Sequence, residues 1–255
     1  MSEAGLAPSF ISLEWPAPKG VCALQTTRQG GVSVGPYASF NLADHVQDDP
    51  SAVVANRQLL SDQMAGVPVQ WLCQVHGERV VEAEEDGLVI TADACLTRTP
   101  GLACAVLTAD CLPVLFCDRQ ASVVAAAHAG WRGLVGGILP ETVAAMAVAP
   151  GQLLAYLGPA ISQHYFEVGV EVLEALMASA QSAEELSAFA SATRPGERPL
   201  HFYVDLYAVA RAQLRRLGVE QIYGGHWCSY GDERFYSYRR DQVTGRQASV
   251  IWLQP

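Results

Sequence analysis

Charge is scarce in this 255-residue chain: 16% of its residues are charged and half are hydrophobic. That balance excludes a disordered polypeptide and leaves ample apolar mass for a sizeable core, read here as one domain over 1–255. Positive charge is scarcer still. A net charge of −10 leaves no basic face to neutralise a phosphate backbone, which argues against nucleic acid as a partner. A small anion needs only local positive charge and stays open. No uninterrupted apolar run reaches the length of a membrane helix. The start, MSEAGLAPSF, lacks the basic stretch and apolar run of a secretion signal. The 7 cysteines are odd in number, form no CxxC pair and follow no disulfide framework. A cytoplasmic, reducing setting follows, with most thiols packed as small hydrophobes.

Strands and helices alternate without strict order. VCALQTT, VQWLCQVHG, GLACAVLT, PVLFC, ASVVAAAH, LLAYLGPAI and ASVIWL read as strands. In DDPSAVVANRQLLSDQMAG, Asp49 suits an N-cap, Pro50 the first turn and Gly66 the stop. Asp205 caps DLYAVARAQLRRLG, whose basic residues come late and whose Gly218 ends it. LVGGILPETVAAMAV reads as one helix with Pro140 near its first turn, and EVLEALMASA and AEELSAFASA as surface helices. The fold class expected is α+β, a mixed or antiparallel sheet core flanked by helices.

One hairpin carries unexpected chemistry. In LTADCLPVLFCDRQASVVAAAHAGWRG, two apolar runs surround a polar break, yet Asp110, Cys111 and His128 stand at its open end. If DRQA forms the turn, paired positions sum to 239, and Cys111 lies directly opposite His128. Their Cβ atoms would then be roughly 4.5–5.5 Å apart, close enough to share one metal ion. His76, at the end of QVHG, supplies a third ligand. Three protein ligands with an open fourth position is the pattern of catalytic zinc. The alternative is two half-buried histidines and a core thiol.

QVHG, TADCLPVLF, AAAHAGWRG, LGPAI with FEVG, and SYRRD with TGR resemble the laccase-domain family, from TTRQGGVS near residue 26 to the C-terminal IWL. That family is also described as multicopper polyphenol oxidase, purine nucleoside phosphorylase and peptidoglycan editing factor. The resemblance implies that His76, Cys111 and His128 bind metal, that the chain is an enzyme, and that it is a monomer. The implied activity is phosphorolysis of adenosine, inosine, guanosine and methylthioadenosine, with adenosine deamination as a second reaction. The alternatives are an amidase-type hydrolase editing peptidoglycan precursors and a copper-loaded polyphenol oxidase.

Chemistry discriminates among these. The chain has 6 histidines, too few for a three-copper cluster plus a separate copper centre. A single His₂Cys site can bind copper, which imidazole and thiolate favour by affinity. Zinc at such a site suits hydrolytic or lytic chemistry, so zinc is the expected cofactor and copper the alternative. Asp110 is the candidate acid/base group, although adjacent strand residues face opposite ways; its structural role would be a buried carboxylate bonded to backbone or to Arg132. For phosphate and nucleoside the candidates are Arg28, with Gly30 and Gly31 as an anion nest, Gln74, and Arg239 and Arg240 in SYRRD. The arginines of SYRRD could instead pair with Asp232 or Asp241. A reading without metal makes Cys111 a nucleophile and His128 its base.

Overall fold

In the computed structural model, which describes residues 8–255, two sheets lie face to face. The N-terminal reading of no secretion signal falls largely outside the described residues. One sheet has six strands in the order Gln221–Gly224, Leu153–Leu157, Leu112–Asp118, Val124–Ala129, Ala94–Thr97, Val80–Glu82. Its centre is antiparallel and each edge pair is parallel. The other has five, in the order Phe10–Ile11, Val21–Thr26, Gln247–Leu253, Ala103–Thr108, Val69–Gln70. Mixed sheets with flanking helices agree with the expected α+β class.

The central strands are apolar on both faces because both faces are covered. Leu115, Cys117, Val124 and Ala126 meet Cys104, Val106 and Ile251 between the sheets. Val114, Phe116, Ala125 and Ala127 point the other way, under helices Ile138–Ala145 and Leu206–Arg216. Helix Pro50–Gln63 brings Leu60 onto the outer face of the five-stranded sheet, against Ala105 and Val250. The helix signals hold where they are local. Asp49 accepts from the Ser51 N–H ahead of Pro50, and Asp205 from the Ala208 N–H. LVGGILPETVAAMAV divides into Trp131–Gly136 and Ile138–Ala145, because Gly137 takes φ +102° between them.

The hairpin register differs from expectation. His128 faces Pro113 and Val124 faces Cys117, so paired positions sum to 241, not 239. Asp118 is the physical reason. It belongs to its strand, and its Oδ1 accepts from the Ser122 and Val123 N–H groups. The loop is therefore 119–122, one position later than read, with Ala121 at φ +54°. Among the described residues no helix is long and apolar enough to cross a membrane.

Candidate metal centre and its cavity

Cys111 is not opposite His128, yet the two converge. Cys111 sits two positions before Pro113, the partner of His128, and so on the diagonal. Asp110, at φ +91°, bends the chain at the head of the strand. His76 lies past the short strand Leu72–Cys73 in a loop, itself at φ +63°. One ligand atom from each of His76, Cys111 and His128 falls within 4.8 Å of the others. The Cys111 Sγ is 3.7 Å from His76 Nε2, and the two imidazole rings meet at 71° with centroids 4.7 Å apart.

Asp93, which sequence reasoning missed, organises this group. Its buried carboxylate accepts from the N–H groups of Val75, His76 and Gly77 at 3.1, 2.9 and 2.7 Å. It also meets His128 Nδ1 at 2.8 Å. The left-handed turn that presents His76 is thus fastened at three successive amides. With Nδ1–H directed at Asp93, His128 keeps Nε2 as its free nitrogen. The only sequence signal was an acid inside the apolar run ITADACLT. Burial pushes the Asp93 carboxyl up, but the bonds from His128, Gly77 and Val75 outweigh it and hold it below its ordinary value.

The same balance polarises Cys111 and His128. Burial opposes a thiolate, but the charge and hydrogen bonds of His128 and His76 bring the Cys111 thiol down to about 6. Burial likewise opposes an imidazolium, but Cys111 and Asp93 raise His128 to about 9. Each of the two thus favours the charged form of the other. Gly130 completes the space: a Cβ there would stand 2.9 Å from Cys111 Sγ and 3.3 Å from the His76 ring. One thiolate and two imidazoles, brought to a point by a glycine and a carboxylate behind them, form a donor set that fits tetrahedral zinc with an open position.

The cluster opens into a cavity of about 320 Å³, also lined by His45, Gln74, Thr108, Tyr238 and Arg246. A larger groove of about 740 Å³ between helices Ala183–Ser191 and Leu206–Arg216 is lined by none of the cluster residues. Of the candidates read from sequence, Gln74 lines the cavity, but its amide exchanges two hydrogen bonds with the Leu107 backbone. Asp110 is not among the lining residues. Its two oxygens accept from Ser229 Oγ and the Arg239 N–H, at 2.7 and 2.6 Å, and Arg132 stacks over Trp131 instead.

The expected phosphate-binding arginines are engaged elsewhere. Arg28 Nε donates to the Ala38 carbonyl, and its Nη1 lies 3.6 Å from Asp241. Arg239 donates to the Tyr165 and Glu167 carbonyls. Arg240 forms a forked pair with Asp241 and donates to the Ser229, Tyr230 and Phe235 carbonyls. The glycine-rich loop is no open nest, since Gly31 and Val32 donate to Ser39 Oγ and Asn56 Oδ1. Sequence reasoning passed over His45, Thr108 and Arg246, although Thr108 opens TADCLPVLF and Arg246 closes TGR, because the three meet on one cavity only through the fold.

A family model described as multi-copper polyphenol oxidoreductase laccase matches residues 22–254. A purine nucleoside phosphorylase of Pseudomonas aeruginosa is 49% identical over 247 residues, covering 96% of this chain and 99% of that protein. The Escherichia coli purine nucleoside phosphorylase YfiH is 50% identical over 248 residues, covering 96% and 98%. Among solved structures, a Neisseria meningitidis protein superposes with a TM-score of 0.90 at 50% identity, covering 96% of this chain and 99% of that one. YlmD from Geobacillus stearothermophilus superposes with a TM-score of 0.88 at 30% identity, covering 100% and 98%. With this much of its length matched, the chain belongs to the multi-copper polyphenol oxidoreductase laccase family.

Proposed function

We propose that this protein is a zinc-dependent purine nucleoside phosphorylase acting on adenosine, inosine, guanosine and methylthioadenosine in the cytoplasm, as a monomer, with adenosine deamination as a second reaction. The observation that carries this reading is the convergence of His76, Cys111 and His128 in one cavity. Relatives at 49% and 50% identity bear the name purine nucleoside phosphorylase. A volume of about 320 Å³ is at the small end of ligand sites and matches a nucleoside-sized guest. Among the described residues this is the only group of three or more His, Cys, Asp or Glu side chains able to share a metal. That supports one metal centre rather than the several coppers a four-electron oxidase needs, whatever the family's descriptive name.

Zinc held by these three side chains would supply a Lewis acid at neutral pH. The protein's own groups do the rest. Asp93 keeps the His128 proton on Nδ1 and fixes the His76 turn. Tyr238, on the cavity lining, offers an aromatic face or edge to a base. Asp110 acts by position, tying the strand head to the C-terminal segment through Ser229 and Arg239.

A second reading makes Cys111 a nucleophile, and its thiol held near 6 beside His128 favours it. Metal removal separates the two. Chelator-stripped protein should lose turnover, and zinc should restore it at about one equivalent per chain. His76→Ala should lower both zinc content and activity by at least an order of magnitude. Stripped protein that keeps full activity and loses it to a thiol alkylator would establish the cysteine reading instead.

A further inference from the structure

The cavity contains a cation and a hydroxyl for which the protein provides no matching partners. Arg246 lies on its wall, part-buried, and its Nη1 donates to the Thr244 and Gly245 carbonyls. Among the described residues Nε and Nη2 have no acceptor, and no carboxylate lies within 4.0 Å of the guanidinium. Burial holds the Arg246 guanidinium below its ordinary value, and the nearby Cys111 and Asp110 offset this only in part. Both are committed, Cys111 to the two imidazoles and Asp110 to Ser229 and the Arg239 amide. On the same cavity Thr108 is 2% exposed and its Oγ1 has no hydrogen-bond partner. Buried hydroxyls without partners are uncommon, and a part-buried guanidinium without a counter-ion is more costly still.

We propose that Arg246 and Thr108 form the orthophosphate subsite of this cavity, the role that sequence spacing suggested for Arg28, Arg239 and Arg240. This rests on the phosphorylase reading. A guanidinium with two adjacent free N–H edges presents the fork that binds phosphate bidentately, and the Thr108 hydroxyl supplies a third donor. His45 stands at the rim, 55% exposed, beside Asp44. In the reaction, a phosphate oxygen forms a bond to the ribose C1′ as the C1′–N9 bond breaks. The electron pair leaves on the purine N9, which takes up a proton from solvent, giving ribose 1-phosphate and free base. Arg246 and Thr108 hold the phosphate and take no proton.

The test uses zinc-loaded enzyme, inosine as nucleoside and inorganic phosphate as the probe. Arg246→Lys keeps charge and loses the fork, and should raise the KM for phosphate roughly tenfold or more, with the KM for inosine within about threefold. Thr108→Val is nearly isosteric and removes the unpaired hydroxyl; it should raise the phosphate KM severalfold without lowering Tm. Unchanged phosphate KM in both variants, while ribose 1-phosphate still forms, overturns the subsite. Direct calorimetric titration with phosphate keeps the two proposals distinct. Phosphate binding that weakens in Arg246→Lys upholds the subsite even where no phosphorolysis occurs, and wild-type protein that binds no phosphate overturns it.

Discussion

At Asp93 four donors meet one carboxylate, three from consecutive amides and one from His128. Two of the three ligands therefore depend on a side chain that touches neither metal nor substrate. Asp93→Asn keeps the shape but offers one acceptor oxygen where two are used, and its amide N–H₂ repels an N–H donor. Zinc affinity should fall roughly 10–100-fold, measured by chelator competition, with little loss of secondary structure by circular dichroism. An unchanged affinity would mean that the ligands are oriented by packing alone. At this scale the three ligands were legible because they sit in long recognisable motifs. Asp93 was not, because nothing local says that an acid in the bend before Ala94–Thr97 will turn towards a loop 16 to 18 residues earlier. The partners of Arg28, Arg239 and Arg240 were hidden for the same reason. The arginine charge is visible in sequence, but the carbonyls and carboxylates that absorb it come from other segments.

The elements show which sequence signals travel. Helix ends were readable because a cap acts within three or four residues, as Asp49 and Asp205 do. The hairpin register was not, because Asp118 sets it through bonds to Ser122 and Val123 that no dipeptide preference encodes. Short edge strands such as Val80–Glu82 and Ile90–Thr91 carry too few residues for alternation to register. Burial opposes ionisation of Asp118, but the Ser122, Val123 and Gln120 bonds win and depress its carboxyl. Asp118→Ala should cost about 1–3 kcal/mol, seen as a lower Tm. Because the folded value is depressed, this contribution is present above the ordinary carboxylate range and is lost as pH falls through the depressed value. The Tm gap between wild type and variant should therefore narrow on acidification. A gap constant from neutral pH into the acid range would show that the loop is held by something other than the ionised carboxylate.

Across the whole molecule, two sheets buried on both faces supply the rigidity that lets strand heads and loops bring distant side chains to one point. Cys111 and His128 come from the six-stranded sheet, Thr108 from the end of a strand of the other, and Arg246 from the residue before its central strand. The cavity is thus a product of how the sheets meet: its metal ligands were read from motifs, whereas Thr108 and Arg246, though inside TADCLPVLF and TGR, share a cavity only through the fold. The α+β class was evident from the mixture of elements, whereas the parallel edge pairs were settled only by the tertiary arrangement. The most direct measurement is product analysis of zinc-loaded enzyme turning over inosine with and without inorganic phosphate. The account predicts ribose 1-phosphate and hypoxanthine, formed only when phosphate is present. Free ribose at a rate independent of phosphate, or no nucleoside cleavage by fully metallated protein, would contradict it.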